Sequence, residues 1–188
     1  MSLATYSVVL STLVLLLGAA TLLSVLGYYS SPVIRAKLTA VSYITWIKLL
    51  GLFAGLATLG SLTYQFVYAT PVCPLCWWQR IFMFPLEIII LVSLYTRTKG
   101  NHLITGILAS IGLPIAAYHY YGHYQKYVVG NPFLLPCSTN PLEPSCSNSP
   151  IVTFDFITIP FMALIVFATI IWLSYLAHKK LQLNDEQS

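Results

Sequence analysis

Five long apolar segments, separated by polar ones, dominate the pattern of the chain. They cover residues 6–28, 41–64, 78–96, 103–121 and 156–177. A helix needs about 20 apolar residues to cross a bilayer, and each segment comes close to or exceeds that length. Most connections between them are short, but residues 122–155 form a longer loop. The pattern therefore predicts an all-α integral membrane protein with five transmembrane helices.

The composition agrees with a membrane protein. Of the 188 residues, 57% are hydrophobic and only 7% are charged, and the mean hydropathy is +0.78. The net charge of +4 comes from basic residues scattered over short loops, whereas nucleic-acid-binding proteins cluster them on one surface. We therefore expect membrane lipid, and no nucleic acid, around this chain.

The basic residues predict the orientation in the membrane, because cytoplasmic loops are enriched in Lys and Arg. Three basic pairs fall on one side of the predicted topology: Arg35 and Lys37, Arg97 and Lys99, and Lys179 and Lys180. The other side has only Arg80 and Lys126. We therefore expect the N-terminus and all four cysteines outside the cytoplasm, and the tail, residues 178–188, inside it.

The first apolar segment has two interpretations. It could be a cleaved signal peptide, but such a peptide has a basic start and a small-residue cleavage site. Residues 1–28 have neither. We predict a retained helix, part of an N-terminal unit of residues 1–40, without a direct role in chemistry.

A Cys-x-x-Cys pair precedes the third apolar segment. Cys73 is followed by Pro74, and proline is favoured at the first position of a helix, so Cys73 is predicted to be the N-cap. The positive end of a helix favours thiolate over thiol and makes such a pair reactive. Arg80 lies one turn after Cys76 and on the same helix face. The sequence thus predicts a redox-active pair beside a fixed cation.

The remaining cysteines, Cys137 and Cys146, lie in the long outer loop. Disulfides persist outside the cytoplasm, so four cysteines there imply two disulfides. The simplest connectivity joins Cys73 to Cys76 and Cys137 to Cys146. The spacings fit structural zinc poorly, and we predict no metal site.

Two ionisable residues lie inside apolar segments, Lys48 in the second and Glu87 in the third. Charged residues at such depth are functional candidates. Their similar depths favour a salt bridge between adjacent helices; a proton relay and a lysine that extends to the interface are the alternatives.

The outer loop also carries an apolar patch, Phe133, Leu134 and Leu135, directly before Pro136 and Cys137. It could dip into the membrane interface and hold the second cysteine pair near the first. It could equally dock a partner protein.

Three stretches together resemble the bacterial disulfide bond formation protein B family, and its BdbC-type members in particular. They are Cys73-Pro74-Leu75-Cys76-Trp77-Trp78-Gln79-Arg80 with the following Met83-Phe84-Pro85-Leu86, then Tyr118-His119-Tyr120-Tyr121, then Phe156-Ile157-Thr158-Ile159-Pro160-Phe161. The resemblance covers about residues 41–177. It implies a four-helix transmembrane redox bundle with a redox loop, residues 122–155, to which this chain adds one N-terminal helix.

The resemblance also implies a function. Members of this family are quinone-linked thiol oxidases of the bacterial cytoplasmic membrane that re-oxidise a DsbA-like thioredoxin-fold partner. By similarity the catalytic cysteines are Cys73, Cys76, Cys137 and Cys146, and a ubiquinone or menaquinone binds near Arg80 and His119. The partner attacks Cys137, Cys146 attacks Cys73, and Cys76 is left as the thiolate beside the quinone.

Two other classes of protein remain as alternatives. The vitamin K epoxide reductase family shares a four-helix redox core, but its loop cysteines precede the membrane Cys-x-x-Cys pair, whereas here they follow it. A non-enzymatic membrane protein could also carry two disulfides that only connect outer loops. Arg80 in register with Cys76 argues against this structural role.

Overall fold

The computed structural model describes residues 2–133, 137, 144–147, 149 and 151–185. Their helices are α1 (Leu3–Ser30), α2 (Pro32–Ala40), α3 (Tyr43–Phe66), α4 (Pro74–Thr96), α5 (Asn101–Tyr124), a π-helix (Gln125–Val129) and α6 (Ile159–Asp185). Within this part of the chain, β pairing is limited to an isolated bridge between Thr153 and Ile157. Five of the helices are long and apolar enough to cross a membrane, namely α1, α3, α4, α5 continued by the π-helix, and α6. The predicted all-α, five-span membrane protein is confirmed.

Serine side chains begin the helices of the N-terminal half. The hydroxyls of Ser2, Ser31 and Ser42 accept backbone N–H groups at the starts of α1, α2 and α3. Such a cap satisfies a donor that the first turn leaves unpaired. The short helix α2 was not predicted, because its nine residues are mostly exposed and form no apolar segment.

Helix α6 lies at the centre of the bundle and packs against α1, α3 and α5. Its Phe167 and Ile170 are fully buried in the core, together with Leu50 of α3 and Leu86 of α4. Gly112 of α5 faces the ring of Phe167 so closely that a Cβ atom there would overlap it. The absence of a side chain at Gly112 therefore allows α5 and α6 to meet.

Helix α1 lies outside the other four spans and is joined mainly to α6. Thr21 and Thr169 share a hydroxyl hydrogen bond of 3.0 Å, and the indole of Trp172 donates to Ser24 (3.0 Å). Near the other end of α1, Ser11 bonds Thr153 in the segment before α6 (2.5 Å). Polar pairs of this kind join apolar helices where lipid provides no hydrophobic drive for association.

The two ends of the bundle differ in chemistry. At one end Tyr43, His102 and His178 form a chain of contacts between α3, α5 and α6. All the cysteines that the structure describes lie at the opposite end, with the start of α1. This agrees with the predicted topology of the chain, although which end faces the cytoplasm stays a prediction.

The expected salt bridge between Lys48 and Glu87 does not form. Lys48 is exposed, and Oε2 of Glu87 is buried without a hydrogen-bond partner among the described residues. The Glu87 carboxyl lies against Gly55, where a Cβ would come within 3.3 Å of Oε1. Gly55 is two turns beyond Lys48 on α3, so the two charged groups are at different levels.

Candidate functional site

Cys73 is the N-cap of α4, as the sequence predicts. Its sulfur accepts the backbone N–H of Cys76 at 3.3 Å, and Pro74 takes the first helical position. The loop before it is closed by Thr70, whose hydroxyl and backbone N–H both donate to the carbonyl of Tyr64 (2.6 and 3.0 Å). This capped turn fixes Cys73 at the positive end of the helix.

The structure has Cys73 and Cys76 as free thiols, not as the expected disulfide. Their sulfurs are 2.8 Å apart, against about 2.05 Å in a disulfide, so oxidation needs only a small displacement. A hydrogen bond from the Cys76 thiol lowers the pKa of Cys73 to about 5; burial opposes this shift, and His119 adds to it. Cys73 is therefore the group that holds negative charge in the reduced pair.

Arg80 is buried and directed across to α3. Its Nε donates to the hydroxyl of Ser61 (2.9 Å), one terminal nitrogen donates to the Ser61 carbonyl (3.0 Å), and the other to Oε1 of Gln65. Its guanidinium also lies over the rings of Trp77 and Phe84, at 5.3 and 5.8 Å from their centroids. Among the described residues no carboxylate pairs with it, and two of its five N–H groups stay available to a ligand.

A cavity of about 460 Å³ lies between α1, α3, α4 and α6. Its walls are mostly apolar, and Cys76, Gln79 and Arg80 lie on the wall formed by α4. Helix α1 contributes Leu10, Val14 and other side chains to the opposite wall. An apolar cavity of this size with a few polar groups is typical of a site for a small organic molecule.

The second cysteine pair is a disulfide between Cys137 and Cys146, as predicted. Helix α5 and the π-helix fix the segment around Cys146. His123 donates to the carbonyl of Cys146 (2.7 Å), while Lys126 and Tyr127 donate to the carbonyl of Ser147 (2.9 and 3.3 Å). π-Helices are rare and often occur at functional sites, and this one supplies both Lys126 and Tyr127.

This arrangement brings the two cysteine pairs together. The sulfurs of Cys73 and Cys146 and a ring nitrogen of His119 all lie within 4.8 Å of one another, and all three residues are buried. Such a cluster could also hold a metal ion. However, the sulfur of Cys146 is bonded to Cys137, and thiolates, not disulfide sulfurs, are the usual metal ligands. The chemistry of the cluster favours thiol–disulfide exchange.

His119 lies between the cysteine pairs and is not part of the cavity wall. Its Nδ1 receives the amide of Gln79 (3.1 Å), which leaves the ring proton on Nε2. Nε2 is 3.9 Å from the sulfur of Cys73 and 3.4 Å from the carbonyl oxygen of Cys146. The four cysteines and Arg80 thus form one series of neighbouring groups, which runs from the loop disulfide to the cavity. His119 lies where the two cysteine pairs meet.

Sequence reasoning did not single out four residues of this site: Gln79, His123, Ser61 and Gln65. Ser61 and Gln65 are polar residues four apart near the end of α3, and this spacing could have indicated a partner for Arg80. The apolar patch of the outer loop is only partly described. Phe133 packs on His123, with ring centroids 5.9 Å apart, whereas Leu134 and Leu135 lie outside the described residues.

A helical membrane bundle with a close dithiol, a neighbouring disulfide and a buried arginine belongs to the class of membrane thiol–disulfide exchange proteins. Comparison with known proteins identifies the family. Residues 44–177 match the sequence model of the family described as disulfide bond formation protein DsbB. The chain belongs to this family.

Curated relatives agree with the family match. Disulfide bond formation protein C of Bacillus subtilis (strain 168) is 37% identical over 132 residues, which cover 69% of this chain and 86% of that protein. The SPbeta prophage-derived disulfide bond formation protein B of the same organism is 33% identical, over 68% of this chain and 84% of that protein. Probable disulfide formation protein C 1 of Bacillus anthracis is 36% identical, over 66% and 85%. No solved structure gives a significant match.

Proposed function

We propose that this protein is a quinone-dependent thiol oxidase that re-oxidises a DsbA-like, thioredoxin-fold partner outside the cytoplasm. The observation that carries the proposal is the position of the Cys73–Cys76 pair. On one side Cys73 lies within 4.8 Å of the sulfur of Cys146. On the other side Cys76 opens onto the apolar cavity that Arg80 also lines. The pair can therefore pass electrons from a loop disulfide to an acceptor in the membrane.

The first half of the reaction is a series of exchanges, each of which forms one S–S bond and breaks another. A partner thiolate attacks Cys137 and releases Cys146 as a thiolate. Cys146 attacks Cys73 of the oxidised Cys73–Cys76 pair and releases Cys76. The second partner thiolate then completes the partner's own disulfide and frees Cys137, which recaptures Cys146 and leaves Cys73 and Cys76 reduced.

The direction of transfer places negative charge where the site can hold it. While Cys73 is joined to Cys146 it cannot carry charge, and Cys76 becomes the thiolate, on the same cavity wall as Arg80. Once both cysteines are free, the hydrogen bond between the two sulfurs stabilises a thiolate at Cys73. A nearby fixed cation and a hydrogen bond are the two ordinary ways to stabilise a thiolate.

The cavity fits a quinone by size and by chemistry. It is apolar and can admit a lipid-soluble molecule, and Arg80 has two N–H groups left to donate to a carbonyl oxygen. Ser61 and Gln65 hold the guanidinium in a fixed position on the wall. A quinone bound there would supply the terminal oxidant, since its reduction to quinol takes up the two electrons and two protons released when the Cys73–Cys76 disulfide re-forms.

We also propose that the bundle lies in the bacterial cytoplasmic membrane with its cysteines outside. The basic residues Arg35, Arg97, Lys99 and Lys179 are all at the end opposite the cysteines, which supports this orientation. A membrane-impermeant thiol reagent added to intact cells after mild reduction should label Cys137 and Cys146. Labelling only after the cells are lysed would contradict the orientation.

The proposed function is tested by incubating the purified protein with a reduced thioredoxin-fold dithiol protein and ubiquinone or menaquinone. We expect one quinone to be reduced for each dithiol oxidised. Cys73→Ser and Cys76→Ser should abolish turnover while the melting temperature changes little, because the packing of five long helices does not depend on a bond between two cysteines three residues apart. Normal quinone reduction by either variant would refute the assigned redox centre.

The order of exchange is tested separately with a partner that lacks its resolving cysteine. This partner should accumulate as a mixed disulfide with Cys137, as peptide mapping after acid quenching would show. Recovery mainly on Cys146, Cys73 or Cys76 would refute the order but not the oxidase activity.

A further inference from the structure

A second cavity, of about 360 Å³, opens at the end of the bundle opposite the cysteines. Its walls come from the last turn of α1, from one side of α2 and from the last turns of α6. Every residue that lines it lies outside residues 44–177, the part matched by the family model. The cavity therefore belongs to what this chain adds to the family core, and the redox reaction proposed above makes no use of it.

Two cations from different helices face this cavity, Arg35 from α2 and Lys179 from α6. Among the described residues no carboxylate lines it. Two like charges on one wall repel each other, whereas an anion between them is attracted by both. The charge distribution therefore suits an anionic ligand.

Both cations are held in position and keep free donors. Nε of Arg35 donates to the carbonyl of Tyr28 (3.0 Å), and the guanidinium lies over the Tyr28 ring at 5.3 Å. In the described part of the chain, these contacts leave the terminal NH₂ groups of Arg35 available. The ammonium of Lys179 donates to Oε1 of Gln182 (3.1 Å), which uses one of its three N–H groups. A planar guanidinium with two free NH₂ groups matches the oxygens of a phosphate.

The surroundings of the cavity place it at the level of lipid headgroups. Tyr28 packs against Trp172 and Tyr175, with ring centroids 5.4 and 5.9 Å apart, and Trp172 stacks on Tyr175 at 5.4 Å. Clusters of Tyr and Trp are typical of the membrane–water interface. Next to them α1 presents outward apolar side chains, among them Leu23 and Leu26, 68% and 55% exposed. A ligand with a phosphate and acyl chains would contact both surfaces.

We propose that this cavity binds the phosphate of an anionic phospholipid, with Arg35 and Lys179 as the ligating side chains and the acyl chains along the outward face of α1. Basic cavities between transmembrane helices are known to bind such headgroups. A soluble phosphate would use the two cations but not the apolar side of α1. The lipid would join α1, α2 and α6, and so stabilise the attachment of the N-terminal helices.

The proposal is tested by titrating the detergent-solubilised full chain with phosphatidylglycerol and counting bound lipids by native mass spectrometry. Parallel titrations use phosphatidylcholine, glycerol 3-phosphate and inorganic phosphate. We expect phosphatidylglycerol to bind and to raise the melting temperature, and the other three to bind at least about tenfold more weakly, since each lacks either the net charge or the acyl chains. Equal binding of phosphatidylcholine would overturn the role of the cations, and equal binding of the soluble phosphates would overturn the lipid.

Variants matched in charge separate this site from general surface attraction. Arg35→Gln and Lys179→Gln should each weaken phosphatidylglycerol binding several-fold, and the double variant about tenfold or more. Lys37→Gln on α2 and Lys180→Gln on α6 remove the same charge but do not line the cavity, so they should bind as the wild type does. Equal losses in all four single variants would overturn the site. If Arg35→Gln without lipid melts at a much lower temperature than the wild type, Arg35→Lys, which keeps the charge, is used in its place.

Discussion

The sulfur of Cys73 accepts the backbone N–H of Cys76, shares a hydrogen bond with the Cys76 sulfur, and lies near a ring nitrogen of His119. Because these contacts stabilise the anion, the pKa of Cys73 falls to about 5. The reduced protein should therefore carry a thiolate at pH 6 to 8, where an ordinary cysteine with a pKa of about 8.5 is mostly protonated. The ultraviolet absorbance of thiolate, followed as pH is lowered in a Cys137→Ser/Cys146→Ser background, should fall with a midpoint near pH 5.

Cys76→Ala removes the largest of the contributions to this pKa. In the same background the midpoint should rise towards the ordinary value, whereas His119→Gln should raise it less, since Nε2 of His119 is 3.9 Å away. A midpoint that stays near pH 5 in Cys76→Ala would contradict the assignment of the shift to the neighbouring thiol.

Arg80 provides the second prediction at this scale. Arg80→Ala should raise the KM for quinone about tenfold or more, because a hydrogen bond from a charged group is worth about 1.5–3 kcal/mol. Arg80→Lys should recover part of this loss, because lysine keeps the positive charge but lacks the planar guanidinium that binds Ser61 and Gln65. Steady-state kinetics with the exposed Arg97→Ala as control would check this, and an unchanged KM in both Arg80 variants would remove Arg80 from the site.

At the level of helices, Gly112→Ala should destabilise the bundle. The new Cβ would overlap the ring of Phe167 and force α5 and α6 apart, and overpacking of this kind costs about 1–3 kcal/mol. Gly60→Ala is the matched control, because its Cβ would meet Leu10 at an ordinary contact distance of 3.5 Å. Thermal unfolding in detergent should show a lower melting temperature for Gly112→Ala alone. Equal melting temperatures of the two variants would show that α5 and α6 can accommodate the extra Cβ without loss of stability.

Helix α1 provides a prediction about function. The sequence predicted no chemical role for it, yet it forms one wall of the cavity, through Val14 among others. Val14→Trp should fill part of this space and raise the KM for quinone, while Leu16→Trp, at a position 62% exposed and outside the wall, should not. Exchange between the partner and the cysteines without quinone should be normal in both. An equal KM in the two variants would mean that the acceptor does not contact α1.

The sequence was most informative about the helices themselves. A span follows from the length of an apolar segment, and a helix start follows from a residue pair such as Cys73-Pro74. Both signals are local, so the five spans and the N-cap of α4 could be predicted. Helix α2 and the π-helix could not, because neither follows from apolar length. The pairing of Lys48 with Glu87 failed because counting residues along two spans does not fix their relative level, and Glu87 lies opposite Gly55, two turns from Lys48.

At the scale of the whole molecule, the sequence indicated which residues react but not how they are arranged. The resemblance gave the four cysteines, Arg80 and His119, yet spacing along the chain does not show that Cys146 and Ser147 lie against α5 and the π-helix. Contacts of His123, Lys126 and Tyr127 with the carbonyls of residues 146 and 147 bring them there. The cavity likewise depends on four helices from distant parts of the sequence, α1, α3, α4 and α6, and on α1 in particular.

The most direct test of the account is whether Cys146 reacts with Cys73. In the variant Cys76→Ser/Cys137→Ser only these two cysteines remain, with sulfurs within 4.8 Å of each other. Mild oxidation should join them rapidly, and peptide mapping would identify the bond. The matched variant Cys73→Ser/Cys146→Ser keeps Cys76 and Cys137 and should form its disulfide far more slowly. Rapid formation in the first variant alone is the result we predict; no Cys73–Cys146 bond, or equal rates in both variants, would contradict the proposed relay.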